Sequence, residues 1–341
     1  MLRETLRKAA AGEVLTEGEA ERALETIMEG NAPPAATAAL LTALRVKGES
    51  VPEIVGFARA MRRFAARVDA PEGVVDTCGT GGDAKGTINV STAAAFVARG
   101  AGVVVAKHGN RAATSQAGSA DVLEALGAEI DLGPAEVSRC IAEAGIGFMF
   151  ARTHHPAMRF VAPVRAELPF RTVFNLLGPL TNPAGARRQL VGVFGGAYVR
   201  PVAEALRDLG AEKALVVHGT DGMDEITVTD KTIVAEVSGG ELAEYEISPE
   251  DFDLPLHAPD GLLGGDAYLN ARILRDILTG EEQGATRDIV LLNAGAAIHV
   301  SGKAKTIEQG VLLAHDSIAN GAAAGALEDF IKTTRRLSGT V

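Results

Sequence analysis

The sequence predicts an α/β protein in which a small all-helical N-terminal domain precedes a larger α/β domain with a largely parallel central sheet. Apolar residues recur at helical spacing from residue 2 to residue 66, and after Pro71 short β-branched runs alternate with alanine-rich helical stretches. A proline-rich segment, 163–183, interrupts this alternation. We therefore expect a helical domain at 1–67, an α/β domain at 68–341, and part of 163–183 crossing back to the helical domain.

The composition is that of a soluble globular protein and argues against several other classes of protein. The 341 residues are 47% hydrophobic and carry a net charge of −11 with 4% aromatic residues, which argues against a nucleic-acid-binding surface. The longest apolar run, 289–298, is too short to span a bilayer, and the charged start lacks a signal-peptide pattern. The two cysteines fit a reducing compartment. We expect a cytoplasmic protein without membrane or nucleic-acid partners.

Local signals place the individual elements. Thr16–Glu19 and Ser50–Glu53 are capping boxes, in which a hydroxyl and a carboxylate satisfy backbone N–H groups at a helix start, and Gly48 is expected to end the intervening helix. Strands are expected at 74–75, 103–105, 190–194, 215–218 and 226–228. Helices are expected at 93–99, at 120–126 and within 303–337.

A glycine-rich stretch, Asp76–Asp83, follows the first expected strand. Three glycines in four positions allow the backbone to fold around an anion and present N–H donors to it. A dinucleotide-binding turn is an alternative, but the next helix is expected only near Ser91 and no acidic residue closes the second strand. A P-loop is a poor fit, because Thr87 stands where that motif requires lysine.

Asn89–Thr92 precedes the helix that follows this turn. Amide and hydroxyl side chains at a helix start are most often plain caps. The functional alternative adds a ligand phosphate at the same positive helix end, with the Ser91 hydroxyl available to a magnesium ion.

A second polar cluster begins at Lys107–Arg111 and continues through Thr114, Ser115 and Gly118–Asp121. Two cations, glycines and hydroxyls at the end of a strand favour phosphate binding over a solvated turn. The net negative charge of the protein does not prevent an anion from binding here, because salt screens distant charges over about 8 Å. The nearby Lys107 and Arg111 therefore set the local electrostatic potential.

The adjacent carboxylates Asp224 and Glu225 lie in a glycine-rich loop after the 215–218 strand. Magnesium commonly uses one or two carboxylates and completes its shell with water and substrate phosphates, although a solvated acidic turn is an equal alternative on this motif alone.

His154 and His155 do not make a zinc site, because no third ligand stands at suitable spacing. Arg165 can clamp a carboxylate, and its alternative role is an inter-domain ion pair.

Taken together, six motifs closely resemble the anthranilate phosphoribosyltransferase family in order and spacing. They are Gly79–Asp83, Asn89–Thr92, Lys107–Arg111, Gly118–Leu123, Arg171–Leu180 and Asp224–Glu225. The resemblance implies a nucleoside-phosphorylase-like fold and a homodimer paired through its helical domains. It implies transfer of the phosphoribosyl group from phosphoribosyl pyrophosphate to the amine of anthranilate, a step in tryptophan biosynthesis.

The resemblance also implies roles for individual residues. Those implied to bind phosphoribosyl pyrophosphate are Gly79, Gly82, Asp83, Thr87, Asn89, Val90, Ser91, Thr92, Lys107, His108, Gly109, Asn110, Arg111, Ser115 and Ser119, with the Lys107 loop closing over the substrate. Those implied to meet anthranilate are Gly79, Asn110, His108, His155 and Arg165. Ser91, Asp224 and Glu225 are implied to hold two magnesium ions.

Lys107, Asp83 and Asn110 are the candidate catalytic residues, and no general base is nominated, since an aniline-type nitrogen is already neutral and nucleophilic. Arg152 departs from the family pattern, which leads us to expect a small residue or proline there. A pyrimidine-nucleoside phosphorylase and a non-catalytic nucleic-acid-binding relative are the alternatives. The lysine motif argues against the first and the net charge against the second.

Overall fold

In the computed structural model, which describes residues 2–83, 85–112 and 116–340, four helices precede the first strand. They are α1 (Leu2–Ala10), α2 (Glu17–Met28), α3 (Pro34–Lys47) and α4 (Val51–Phe64). The remaining elements are β1 (Val75–Gly79), α5 (Val90–Gly100), β2 (Val105–Gly109), α6 (Ser119–Ala125), α7 (Pro134–Ala144), β3 (Ile146–Phe150), α8 (Ala151–His154), α9 (Ala162–Glu167), α10 (Phe174–Leu180), β4 (Arg188–Gly192), α11 (Val199–Asp208), β5 (Lys213–Gly219), β6 (Thr232–Ser238), β7 (Glu241–Ile247), α12 (Ala267–Thr279), α13 (Ala285–Ser301), α14 (Ile307–Ala319) and α15 (Ala322–Ser338). Short 3-10 helices lie at Pro156–Phe160, Gly196–Tyr198, Pro249–Phe252 and Pro259–Leu262.

The strands form a seven-stranded sheet in the order β3-β2-β1-β4-β5-β6-β7. The first five strands in this order are parallel, whereas β6 and β7 add an antiparallel edge. Gly79 at the end of β1 is in register with Gly192 at the end of β4. The expectation of a mostly parallel sheet beside a helical N-terminal domain is confirmed.

Side chains alternate between the two faces of the sheet, as the strand period requires. On β5, Leu215 and Val217 belong to the apolar core that also contains Phe96 of α5 and Phe330 of α15. Val216 belongs to the opposite core, which continues into the helical domain. Each face of the sheet is therefore covered by helices.

The N-terminal helices are held by local caps and by one buried carboxylate. Thr16 forms the expected capping box, with its hydroxyl accepting from Glu19 N–H. Glu53 is fully buried and accepts hydrogen bonds from the backbone N–H groups of Ser50 and Leu15, each at 2.9 Å, and from Lys47 Nζ at 2.8 Å. These bonds satisfy the start of α4 and connect it to the loop before α2.

The proline-rich segment does contact the helical domain. α9 contacts α3, α10 contacts α4, and Phe174 and Leu177 join the apolar core of the helical domain. Part of the 163–183 segment thus lies beside α3 and α4.

Several expected strands begin or end elsewhere. β1 includes Asp76–Gly79 and β2 continues through Lys107 to Gly109, so the first residues of both polar motifs are strand residues rather than loop residues. The expected strand at 226–228 is wrong. Ile226 is buried in a loop, where its N–H donates to Asn293 Oδ1 at 3.0 Å and its carbonyl accepts from Asn293 Nδ2 at 2.8 Å.

Helix α13 runs behind the sheet and is almost entirely buried, which explains the apolar run at 289–298. No helix within the described residues has the length and apolar character that crossing a membrane requires.

Candidate active site

The polar motifs meet at the carboxyl ends of the parallel strands. From the neighbours β1 and β4, the chain proceeds outward in opposite directions, to β2 and β3 on one side and to β5 on the other. A crevice between strands of this kind is the usual ligand site of an open α/β sheet. The glycine turn, the start of α5, Lys107 and Asp224 lie around this point.

Two glycines at these strand ends make room for the acidic loop. A Cβ on Gly79 would lie 2.5 Å from Asp224 Oδ2, and a Cβ on Gly192 would lie 1.5 Å from the Asp224 carbonyl oxygen. Because real Cβ atoms do not approach that closely, both positions require glycine for Asp224 to sit against the sheet.

The glycine turn is fixed from two sides. Gly81 N–H donates to Asp224 Oδ2 at 2.7 Å, and Arg171 Nη2 donates to the Gly82 carbonyl. Gly81 and Gly82 both have positive φ, at 66° and 80°, where a side chain is disfavoured. The turn is thus shaped before any ligand binds, and Asp83 lies beside Asp224 within it.

Lys107 is buried on β2 rather than placed in a loop. Its Nζ donates to the Thr77 carbonyl and to Ser91 Oγ, the latter at 3.3 Å. Burial lowers the pKa of Lys107, while the nearby Asp76 carboxylate opposes that shift. Strand pairing fixes Lys107, so Lys107 itself is a strand residue, and only residues after Gly109 leave the sheet. Closure of the following loop over substrate stays a prediction.

Asp76 connects β1 to the two neighbouring segments. It accepts from His108 N–H at 3.1 Å and from Asn182 Nδ2 at 2.7 Å, and it is fully buried. The carboxylate supplies negative charge near Lys107, so the lysine ammonium is held in the sheet by charge as well as by hydrogen bonds.

Asn89 does not act as a plain cap of α5. Its side chain makes no capping hydrogen bond, and instead Nδ2 donates to the Ala117 carbonyl at 3.1 Å while Oδ1 accepts from Asn270 Nδ2 at 2.9 Å. Thr92 Oγ1 is buried without a partner among the described residues. Helix α5 begins at Val90, so Val90, Ser91 and Thr92 form its first turn beside Lys107.

Asp224 and Glu225 lie side by side in the loop after β5. Burial, and secondly the Asp83 carboxylate, raise the pKa of Asp224 to about 7. Burial and the neighbouring Asp224 raise the pKa of Glu225 well above its usual value. Asp224 and Glu225 thus lie close together, with Asp83 near Asp224, and carboxylates of this kind are ligands that magnesium commonly uses.

The described residues contain no complete cluster of three or more metal-ligating His, Cys, Asp or Glu side chains. Magnesium keeps several waters and uses few protein ligands. Ser91, Asp224 and Glu225 are the residues that would hold it.

Arg111, at the end of the Lys107–Arg111 motif, is less free to bind phosphate than the sequence predicted. Arg111 donates to Asp121 Oδ1 and Glu124 Oε1, both at 2.8 Å, so its guanidinium is already paired with carboxylates of α6. Ser119 Oγ donates to the carbonyl of the exposed Asn110 at 3.2 Å. Ser115 lies outside the described residues. Arg111 therefore offers less free positive charge to a phosphate than its sequence position suggests.

Two buried histidines, His108 and His155, lie next to each other near the end of β2. The rings of His108 and His155 are 5.0 Å apart between centroids. His108 Nδ1 is 3.2 Å from the Gly178 carbonyl oxygen, and because that oxygen can only accept, Nδ1 carries the hydrogen and donates it in a hydrogen bond. The Nε2 atoms of both rings are buried and have no partner among the described residues. Burial lowers the pKa of His108 well below its usual value and that of His155 to about 4, so both rings are neutral at pH 7.

Arg165 makes no ion pair with any residue that the structure describes, so the expected alternative role is not realised there. Its guanidinium lies 5.3 Å from the centre of the Phe174 ring, and burial lowers its pKa. Arg152 is exposed on α8.

Thr87 forms a β-bridge with Leu263, and the loop that contains Leu263 is hydrogen-bonded to Asn270 of α12 through Gly265 N–H.

Three residues near these segments were not identified as site residues from the sequence: Arg171, Asn182 and Asn270. The only signal available was a polar amide or a fixed cation within otherwise apolar or proline-rich stretches.

Comparison with known proteins agrees with this arrangement. Residues 71–324 match the glycosyl transferase family, a/b domain, and residues 3–65 match the helical bundle domain of the same family. The chain is 81% identical to the anthranilate phosphoribosyltransferase of Rubrobacter xylanophilus, over 99% of each protein.

Solved structures similar to this chain are also anthranilate phosphoribosyltransferases. The anthranilate phosphoribosyltransferase of Thermus thermophilus superposes with a TM-score of 0.93 at 48% identity, covering 97% of this chain and 99% of that one. The Saccharomyces cerevisiae enzyme in complex with PRPP and Mg has a TM-score of 0.90 at 28% identity, covering 98% of each chain. The same yeast enzyme with 4-fluoroanthranilate has a TM-score of 0.88, also at 28% identity and 98% coverage of each chain. The chain belongs to the glycosyl transferase family and, within it, to the anthranilate phosphoribosyltransferases.

Proposed function

We infer that the protein transfers the phosphoribosyl group of phosphoribosyl pyrophosphate to the amine of anthranilate, giving N-(5-phosphoribosyl)anthranilate and pyrophosphate in tryptophan biosynthesis. The observation that carries this inference is the 81% identity to an anthranilate phosphoribosyltransferase along 99% of the chain. The convergence of the glycine turn, the start of α5 and Lys107 at one sheet edge supports it.

We propose that phosphoribosyl pyrophosphate lies against the glycine turn and the first turn of α5. The residues assigned to it are those implied by the family motifs, with Lys107 and Asp83 nearest to the leaving pyrophosphate. Breaking the anomeric bond leaves a highly charged group, and preorganised donors that neutralise it speed departure. Lys107 and the N-terminus of α5 are fixed donors of that kind.

Magnesium is proposed on the strength of the donor set and of the yeast relative solved with PRPP and Mg. Two ions are proposed, one toward Ser91 and one toward Asp224 and Glu225. When bound, magnesium would neutralise pyrophosphate charge. The chain contributes by holding the carboxylates in place: Asn293 clamps Ile226, next to Glu225, through both of its backbone groups.

Anthranilate is proposed to lie near His108, His155 and Arg165, with Gly79 and Asn110 at its boundary. The Nδ1 proton of His108 is directed to the Gly178 carbonyl, which leaves Nε2 as an acceptor for an amine N–H. Arg165 has no carboxylate partner among the described residues and suits the anthranilate carboxylate. Positioning, rather than a general base, is then the main contribution of these residues.

The test is the loss of anthranilate fluorescence when phosphoribosyl pyrophosphate and magnesium are supplied together. Omitting either one should abolish the change, and pyrophosphate should appear in equal amount. Release of a free base from a pyrimidine nucleoside and phosphate, with anthranilate unchanged, would instead indicate the phosphorylase alternative. Magnesium titration by calorimetry in the presence of phosphoribosyl pyrophosphate would count the ions.

A further inference from the structure

Asn270 lies outside every segment assigned to the substrates and is buried, with 2% of its surface exposed. It belongs to the first turn of α12, whose start is fixed by Asp266, because Asp266 Oδ1 accepts from Leu269 N–H at 2.8 Å. A buried amide in this place requires partners, and its partners lead to the phosphate-binding segments.

Three hydrogen bonds form a chain through two side-chain amides. Gly265 N–H donates to Asn270 Oδ1 at 2.8 Å, and Asn270 Nδ2 donates to Asn89 Oδ1 at 2.9 Å. Asn89 Nδ2 then donates to the Ala117 carbonyl at 3.1 Å. A backbone N–H can only donate and a carbonyl can only accept, so the two ends fix the orientation of both amides.

The backbone on either side of this chain is also paired. Ile88 N–H donates to the Leu262 carbonyl at 3.1 Å, and Gly264 N–H donates to the Gly86 carbonyl at 2.8 Å. A Cβ on Gly264 would lie 2.6 Å from Asn270 Oδ1, so glycine is required for this approach. The loop before α12 therefore lies directly against the segment that leads into α5.

We propose that Asn270 is a positioning residue for phosphoribosyl pyrophosphate: it fixes the Asn89 amide and joins the Gly86–Asn89 segment to the Ala117–Ser119 segment before substrate binds. Asn89 keeps its second N–H, which has no partner among the described residues and is available to an anionic oxygen. The proposal rests on the proposed function, which assigns Asn89 to that substrate. Fixing the site in advance improves affinity by removing the cost of ordering it.

The test uses Asn270→Asp, which keeps the acceptor for Gly265 N–H and removes the donor to Asn89. We expect the dissociation constant for phosphoribosyl pyrophosphate, measured calorimetrically with magnesium and without anthranilate, to rise about tenfold. That change equals about 1.4 kcal/mol, the scale of one hydrogen bond. The Michaelis constant for anthranilate at saturating phosphoribosyl pyrophosphate should change less than about twofold, within the scatter expected for an untouched contact.

Ser317→Ala is the matched control. The Ser317 hydroxyl is buried and donates to the Val97 carbonyl of α5 at 2.8 Å, so its loss also removes one buried hydrogen bond to the same helix. This variant should lower the melting temperature and leave the phosphoribosyl pyrophosphate affinity unchanged. The proposal is overturned if Asn270→Asp behaves in the same way.

Amide hydrogen exchange of the ligand-free protein separates this proposal from the proposed function. Exchange at 85–92 and 117–119 should be faster in Asn270→Asp than in the wild type and in Ser317→Ala. Unchanged exchange in these peptides would exclude the positioning role, whatever the substrate is. A wild-type protein that failed to bind phosphoribosyl pyrophosphate would overturn the proposed function, while the exchange result would still decide whether Asn270 orders these segments.

Discussion

At the scale of single residues, Lys107 is distinguished by burial inside a strand rather than by exposure on a loop. For Lys107→Ala we expect turnover to fall about a hundredfold, because removing one preorganised electrostatic group typically costs about 3 kcal/mol in the transition state. Steady-state kinetics would measure this. Lys332→Ala, which removes an exposed lysine from α15, should retain full turnover. Normal turnover in Lys107→Ala would show that the lysine only stabilises the sheet.

Arg165 is a partly buried cation without a carboxylate partner among the described residues. Arg165→Ala should raise the Michaelis constant for anthranilate about 10- to 100-fold, because a charge-assisted hydrogen bond contributes about 1.5–3 kcal/mol. The affinity for phosphoribosyl pyrophosphate should stay the same. Arg159→Ala, an exposed arginine on the adjoining 3-10 helix, is the control. If both variants bind anthranilate normally, the carboxylate contact lies elsewhere.

His155 should make the stability of the protein depend on pH. Burial and His154 hold its pKa at about 4 in the folded chain, against 6.5 for a free histidine. Below pH 6.5, His155 is protonated in the unfolded chain, whereas in the folded chain it stays neutral down to about pH 4. The unfolded state therefore binds more protons in this window, and the free energy of unfolding decreases as the pH falls from 6.5 to 4.

His155→Phe keeps a ring of similar size and removes this titration. Between pH 7 and pH 4.5, the free energy of unfolding should fall by about 2 kcal/mol more in the wild type than in the variant. Urea unfolding at the two pH values measures the difference. Equal losses in both proteins would contradict the assigned shift.

At the scale of elements, the strand ends are shaped by glycine. Gly192→Ala should lower the free energy of unfolding by at least about 1–3 kcal/mol, because its Cβ would collide with the Asp224 backbone. It should also raise the magnesium concentration needed for half-maximal activity. Gly325→Ala lies in the exposed part of α15 with no atom within 4 Å of the new Cβ, and should stabilise the protein by about 1 kcal/mol. Thermal unfolding would compare the two, and equal effects would refute the packing argument.

The elements found from sequence were those with a long periodic pattern. The N-terminal helices lie within the expected helical stretch, α5 lies close to its expected position, and α14 and α15 lie largely within the expected helical tail. Strands β3, β6 and β7 were missed. β3 is a short, fully buried apolar run that periodicity cannot distinguish from a helix, and β7 is an edge strand rich in glutamate.

The site was predictable to the extent that its residues stand at strand ends or helix starts. Local sequence marked the glycine turn, Lys107 and the Asp224–Glu225 pair. It could not mark Asn182 or Asn270, because their roles depend on partners 106 and 181 residues away along the chain. The paired state of Arg111 likewise depends on how α6 folds back on it.

At the scale of the whole molecule, the proposed homodimer concerns the helical domain. Val46 of α3 is 84% exposed, so a charge placed there would test whether copies meet through this helix. Light scattering should give twice the 35.2 kDa chain mass for the wild type and a single chain mass for Val46→Glu. Leu312→Glu, at a 67% exposed position on α14, should remain dimeric. A monomeric wild type would rule out the dimer, and a dimeric Val46→Glu would place its interface elsewhere.

Helix α13 has a consequence for the order in which the protein folds during synthesis. It is buried against α5, β4 and β5, yet it enters the chain only at residue 285. Until the ribosome has released that stretch, the face of the nascent sheet that carries α5 lacks α13, and the apolar side chains that α13 buries are open to aggregation. The helical N-terminal domain is synthesised first, whereas the α/β domain can complete its core only after almost the entire polypeptide has been made.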